Sequence, residues 1–399
     1  MPRHADHPTR DDIDLVAGSF WGRDPHEEMT WMRAQAPVYW DGRVWGVTRH
    51  DDLKAIAKDP ATFSNAGGIR PDSGPIPMMI DMDDPDHVKR RKLVNKGFTP
   101  RRVREQEEAV RRACDQIIDS VCERGECDLV TDVAAWLPMI MIGDALGVAP
   151  EDRAQLLEWS DTLLSALTGD PNRMETAATA FTDYTMFALE TIADRRATPR
   201  DDLISTLVHA EVDGDRLTDD EVLHEALLIL IGGDETTRHV ISGGMYQLLT
   251  VPGERDRLAA DPALLPSAVE EMLRWVTPIK NMARTATRDV ELRGQTVGEG
   301  DKLLLLYPSA NRDEDVFADP FRFDVGRTPN DHVAFGFGTH FCLGNSLARI
   351  ELSCMVEHLL RRLPDLEVAQ DDEPAARPAN FVSGYEHLAV RFTPTAPVG

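Results

Sequence analysis

A mainly α-helical fold with small β-sheets is what this 399-residue sequence predicts, on three observations. A long segment, Glu221 to Leu249, reads as one helix whose centre, Ala226-Leu-Leu-Ile-Leu-Ile-Gly-Gly233, is apolar on nearly all sides and therefore buried. Two more helical patterns follow, Ala263 to Trp275 and Leu343 to Leu363. The latter repeats Leu347, Ile350 and Cys354 on one face at three- and four-residue steps. Strand-like runs, in contrast, are short and few.

Taken in order, the first such runs are Ala36-Pro-Val-Tyr-Trp40 and Arg43-Val-Trp-Gly-Val47, with Asp41-Gly42 placed to turn between them. A Gly- and Pro-rich stretch from Asn65 to Pro77 reads as irregular, and helical periodicity dominates after it. Mixed short strands are expected from Val290 to Leu306. The segment Pro308 to Phe341, punctuated by Pro, Gly and Asp, is too long for an ordinary connection and is expected to wrap a site. No internal repeat or low-complexity linker divides the chain, so residues 1–399 are expected to form a single domain.

Composition narrows the function. The formal net charge of −26 argues against general nucleic-acid binding, which needs a basic surface. The polar start, Met1 to Asp12, has no apolar run behind it, and no stretch reaches the roughly 18 consecutive apolar residues of a spanning helix. Neither a signal peptide nor a membrane anchor is expected. Five cysteines, Cys114, Cys122, Cys127, Cys342 and Cys354, neither pair off fully nor form a Cys-x-x-Cys cluster. That pattern fits a reducing compartment, and the cytoplasm is expected.

Chemistry concentrates in Phe335-Gly-Phe-Gly-Thr-His-Phe-Cys-Leu-Gly344. One cysteine ends a glycine-rich loop at the mouth of a helix, where backbone N–H groups and the helix dipole would stabilise a thiolate. Gly336 and Gly338 allow a tight turn and close approach to a flat ligand. Phe335 is placed to shield the sulfur. A single thiolate without a cysteine partner suits an axial haem ligand better than zinc or an iron–sulfur cluster. The other four cysteines read as small buried hydrophobes.

This ten-residue pattern resembles the haem-binding loop of the cytochrome P450 family, and further motifs in the same order extend the resemblance over essentially the whole chain. Gly232-Gly-Asp-Glu-Thr-Thr237 resembles the family's oxygen-activation motif, with Glu235 and Thr236 as the acid–alcohol pair; paired glycines within a helix are costly, so something must need the space. Glu271-Met-Leu-Arg274 and Arg327 resemble the family's structural triad. His87 and Arg91, at i,i+4, match positions that pair with haem propionates, as do Arg284 and His340. The resemblance thus implies the cytochrome P450 fold, haem b (iron-protoporphyrin IX) held by Cys342, and catalytic use of dioxygen.

Because the sequence contains no reductase domain, electrons must come from another protein. Eight basic residues and no acidic one lie between Lys89 and Arg104 (Lys89, Arg90, Arg91, Lys92, Lys96, Arg101, Arg102, Arg104). The family places this region on the cysteine side, which implies docking of an acidic ferredoxin, itself served by a reductase. As for substrate, Pro77 to Ile80, Val276 to Met282 and Phe381 to Gly384 are apolar stretches where the family builds its pocket; core packing is their other reading. Over the whole chain, and especially Gly232 to His239, the sequence is similar to actinobacterial hydroxylases of the sterol side chain. That similarity implies hydroxylation of cholesterol or cholest-4-en-3-one at a terminal methyl, with aldehyde and acid as further products. Fatty acids, terpenes and macrolides are alternative substrates. A peroxygenase would lack the Glu235–Thr236 pair, and a haem sensor or electron carrier would leave that pair unexplained.

Overall fold

The computed structural model describes residues 7–165 and 171–399; the first six residues of the polar start, Met1 to Asp6, lie outside them. Its axis is the helix Asp219–Thr250, the central helix, about 48 Å long. A capping box starts it: Thr218 Oγ1 accepts from the Glu221 backbone N–H, and the Glu221 carboxylate accepts from that of Thr218. From Val222 to Leu248 it is buried on several faces, as its apolar composition predicts. The Leu265–Val276 helix and the Asn345–Arg362 helix (the cysteine helix) pack against it, both within two residues of their expected limits at each end.

Strands are short and peripheral. Strand β1 (Val38–Trp40) pairs antiparallel with β2 (Trp45–Val47) across a turn in which Gly42 takes a φ of +99°. With β3 (Phe63–Ser64), β5 (Asn281–Ala286) and β8 (Lys302–Leu306) they form a sheet of order β1-β2-β8-β5-β3, parallel only between β2 and β8. Strands β4 (Glu126–Asp128), β9 (Glu367–Val368) and β10 (Ala389–Arg391) make a second sheet of order β4-β10-β9. Strands β6 (Val290–Leu292) and β7 (Gln295–Val297) make a hairpin. The predicted class, mainly α with small sheets, is the observed one.

One helical stretch, Leu129–Leu146, has the length and mean apolarity to cross a membrane, and 67% of it is buried inside the protein. Counting uninterrupted apolar residues misses it because Asp132 and Asp144 break the run. It packs on the central helix, where Ile142 fills the space left by Gly233; a Cβ there would lie 2.3 Å from Ile142 Cδ1.

The long Pro308–Phe341 segment is mostly irregular and is held by the expected triad. Arg274 donates to both oxygens of Glu271, at 2.7 and 2.8 Å, and Arg327 Nε lies 3.0–3.1 Å from the same carboxylate. Both guanidinium groups then reach outward. Arg274 bonds the carbonyls of Asn311, Pro320 and Arg322, and Arg327 those of Ala318, Asp319 and Arg322. A segment with little secondary structure needs such partners for its backbone carbonyls.

Candidate active site

Between the central helix and the cysteine loop lies a cavity with about 1370 Å³ of atom-free space, its mouth included. Gly232, Gly233, Thr236 and Thr237 line one wall; Phe335, Gly336, His340, Cys342 and Leu343 line the opposite one. Nothing lies within 4 Å of a Cβ added at Gly232, so this glycine keeps the wall open.

Cys342 sits at the end of the loop, its N–H bonded to Phe335 O at 3.0 Å, two residues before the cap of the cysteine helix. Gly336 and Gly338 adopt φ of +71° and +76°. At Gly338 a Cβ would fall 2.2 Å from Ala57 O, so the loop can lie this close to the Ala57 backbone only with glycine there. The expected stabilisation of a thiolate is only partial. Burial pushes the Cys342 thiol up, and the N–H groups of Gly344 and Asn345, with the guanidinium groups of Arg91 and Arg349, only oppose that rise. A cation bound at the sulfur, such as iron, would favour the thiolate further. The Phe335 ring is clamped from outside by the Arg349 guanidinium, 4.6 Å from its centroid. Cys114, Cys122 and Cys354 are buried in the core, Cys127 is half-buried in β4, and none of the four lines the cavity.

A second cluster gathers at the cavity edge. His87 and His340 stack with ring centroids 4.0 Å apart. Burial holds both below the ordinary imidazole range; His340, further opposed by His87, Arg284 and Arg91, is pushed down to about 2. Arg91 donates to Phe341 O and the nearly buried Arg284 to Ala283 O. Among the described residues no carboxylate lies within ion-pairing distance of either arginine, and the buried His87 Nε2 has no hydrogen-bond partner. Two arginines converging without a counter-anion, beside two imidazoles that burial holds neutral, are what a dianionic macrocycle edge requires. The residues present fit haem.

On the opposite wall Thr236 Oγ1 faces the cavity and donates to Gly232 O at 2.8 Å. Glu235, by contrast, points away from the cavity into a buried charged network. Arg238 bonds it, Arg377 Nη1 donates to it at 3.0 Å, and His239 Nε2 lies 2.9 Å from its other oxygen. Burial alone would raise this carboxyl; His239, Arg238 and Arg377 overcome it and hold Glu235 well below its ordinary range. The adjacent Asp234 goes the other way, pushed up to about 7 by burial, with Glu235 and Asp161 adding to the rise. Neighbouring carboxyls are thus split into one charged and one neutral group.

Sequence reading missed several of these residues. Asp234, Arg238, His239 and Arg377 complete the network around Glu235. Glu351 lines the cavity beside Thr237, its carboxyl raised by burial to about 8. Its signal was present: an acid one turn after Leu347 on an otherwise apolar helix face. Of the three predicted pocket stretches, Met79 and Ile80 from the first and Pro278, Ile279 and Met282 from the second line the cavity. Phe381 and Val382 stand behind them, packed on Ile279, Met282 and Ile80.

The basic run from Lys89 to Arg104 is less open than its sequence suggests. Arg90 is paired inside with Glu221 and Glu225, Lys96 donates to Glu211 O, and Arg101 and Arg102 meet Glu105 and Asp201. Lys92 and Arg104 are exposed with no carboxylate within 4 Å among the described residues. The short helix Pro100–Glu105 in this run packs on the cysteine helix.

Comparison with known proteins agrees with this geometry. The family model described as Cytochrome P450 matches residues 117–386. A steroid C26-monooxygenase of Mycobacterium tuberculosis is 54% identical over 395 residues, 97% of this chain and 99% of that one. A methyl-branched lipid omega-hydroxylase of the same organism is 37% identical over 96% of this chain and 95% of its own. Among solved structures, a Mycobacterium marinum cytochrome P450 in complex with pseudoionone superposes with a TM-score of 0.90 at 34% identity, covering 97% of this chain and all of that one.

Proposed function

The chain belongs to the cytochrome P450 family, a monooxygenase that uses haem b, dioxygen and electrons from a separate protein, and we propose that it hydroxylates a terminal methyl of a sterol side chain. Cholesterol or cholest-4-en-3-one is the substrate in this reading, with onward oxidation to the carboxylic acid. Identity of 54% along almost the whole length of a steroid C26-monooxygenase carries it. The apolar wall of Met79, Ile80, Ile279 and Met282 is chemically suited to a sterol and supports it.

In this reading Cys342 is the iron ligand, shielded by Phe335. His87, Arg91, Arg284 and His340 hold the propionates, and Gly232 leaves room for a small molecule against the central helix. Bound haem supplies the redox chemistry that activates dioxygen; the protein supplies position, dryness and protons. Thr236 presents a hydroxyl that donates and accepts hydrogen bonds inside the cavity. Glu235 governs proton supply to it from the charged network behind. Because Glu235 is ionised and engaged by three cation-forming side chains, a proton can pass through it only when one of those contacts exchanges. Glu271, Arg274 and Arg327 are architectural: they hold the segment leading to Cys342.

The whole chain, 1–399, acts as one domain in the cytoplasm. Its electron donor is an acidic ferredoxin, served by its own reductase, docking where Lys92 and Arg104 remain exposed beside the cysteine helix. A second reading, hydroxylation of methyl-branched lipids, is favoured by the 37% identity to such an enzyme. Titration of the ferric protein, following the Soret band, separates the two. A tight low-spin to high-spin shift with cholest-4-en-3-one, and a weak one with a branched or straight fatty acid, is expected. A stronger response to the fatty acids would overturn the sterol assignment and leave the monooxygenase standing.

A further inference from the structure

The C-terminal segment Ala376 to Tyr385 forms a strap whose middle lies on the substrate wall and whose joined ends lie on the charged network. An isolated antiparallel bridge joins Ala376 to Tyr385, Arg377 N–H donates to Gly384 O at 2.9 Å, and Ser383 Oγ donates to Arg377 O at 2.6 Å. In its middle, Lys280 N–H donates to Phe381 O (2.8 Å) and Ser383 N–H to Pro278 O (3.0 Å). The strap therefore rides on the backbone that supplies Ile279 and Met282 to the cavity.

Its other contacts are with the central helix. Arg377 Nη1 donates to Glu235 Oε1 at 3.0 Å, and Glu235 is the one carboxylate within 4 Å of Arg377 among the described residues. Arg238, the other arginine on Glu235, is shared with Asp161 at 2.6 Å and Asp234 at 3.6 Å. Gly384 lies against His239, where a Cβ would stand 2.4 Å from the ring. Only glycine allows this approach, and His239 in turn lies against Glu235.

We propose that Arg377 is a positioning residue: the strap fixes the Glu235 carboxylate through it and so couples packing of the substrate wall to proton supply at Thr236. The proposal rests on the reading of Glu235 and Thr236 as the acid–alcohol pair. A substrate pressing on Ile279 or Met282 moves the segment the strap is bonded to. Arg377 then transmits that displacement to Glu235, next to Thr236 in the chain. An empty cavity leaves the carboxylate at rest, fully engaged.

The test uses the haem-loaded enzyme with a ferredoxin and reductase, measuring product and peroxide per electron pair. Carbon-monoxide spectra and substrate affinity by Soret titration are followed alongside. Glu235→Gln is measured first and should lose rate and coupling; if it does not, the acid–alcohol reading fails, and the proposal with it. With that established, Arg377→Gln should keep the thiolate spectrum and bind substrate within roughly threefold. Its product yield per electron pair should fall about fivefold, with peroxide making up the difference. Arg377→Lys should restore at least half of the loss, and the Glu235→Gln/Arg377→Gln double variant should be no worse than Glu235→Gln alone. Coupling within twofold of the parent in Arg377→Gln, or losses that multiply in the double variant, would overturn the proposal. Should Arg377→Gln fail to accumulate, Gly384→Ala displaces the strap from His239 and must show the same coupling loss with an intact spectrum; full coupling there also overturns it.

Discussion

Replacing Asp234 by Asn should change how stability depends on pH, by an amount the structure sets. Burial, reinforced by Glu235 and Asp161, raises this carboxyl from 3.8 to about 7, against the pull of Arg238. A raised carboxyl binds its proton more tightly in the folded protein than in the unfolded chain. Its contribution to stability is therefore complete below the unfolded value and is lost as pH rises through the folded one. From pH 5 to pH 7 the loss runs at about 1.4 kcal/mol per unit, about 3 kcal/mol in all, and above pH 7 it levels off. Asparagine has nearly the same shape and no such titration. With an unfolding entropy of about 2.1 cal/mol/K per residue, 3 kcal/mol corresponds to about 4 °C in a chain of this length. The measurement is the difference in Tm between variant and parent across pH 5 to 8.5. Taking the difference cancels the titration of Glu225 and Glu351, which burial also raises, to about 7 and about 8. The variant should gain about 4 °C on the parent between pH 5 and pH 8. A difference independent of pH would refute the division of Asp234 and Glu235 into neutral and charged partners.

Two further outcomes test the rest of the site. Thr236→Ala removes a hydroxyl that lines the cavity, so haem binding should be unchanged while product per electron pair falls about tenfold in favour of peroxide; fully coupled turnover would contradict its role. Arg274→Ala leaves Glu271 fully buried with Arg327 as its remaining cation and abandons three backbone carbonyls of the Pro308–Phe341 segment. It should cost about 3–5 kcal/mol, with most of the protein recovered without haem; an unchanged melting temperature would refute the architectural reading.

The residues legible in the sequence are those whose function needs neighbours close along the chain. The cysteine loop is contiguous, so its glycines, its phenylalanine and its sulfur are read together. Glu271 and Arg274 share a helix face at i,i+3, and the capped central helix announces itself by periodicity. Contacts across the fold were not legible. Arg377 meets Glu235 across 142 positions, and no local pattern marks it. The same blindness made the Lys89–Arg104 run look like an open basic face: the carboxylates paired with part of it, Asp201, Glu221 and Glu225, lie 99 to 135 residues later. Burial around the sulfur is hidden from the sequence for a related reason. Sequence reveals the helix mouth that favours a thiolate but not the burial that opposes it.

Charge placement ties the cofactor to folding. The chain carries 69 acidic residues against 43 basic ones, so a cation seeking a carboxylate partner rarely lacks one. Yet Arg91 and the buried Arg284 meet none within 4 Å among the described residues, and His87 keeps a buried nitrogen without a partner. Burying such groups without an anion costs free energy. Two propionates would convert that cost into charge-assisted hydrogen bonds, and iron would do the same for a thiol that burial otherwise keeps protonated. Both ends of the site are thus unfavourable alone and favourable when loaded, and whatever binds there stabilises the folded state by mass action. The acidic surface sharpens the contrast: it leaves the interior edge of the cavity as a place where an anionic, metal-bearing ligand meets cations rather than repulsion.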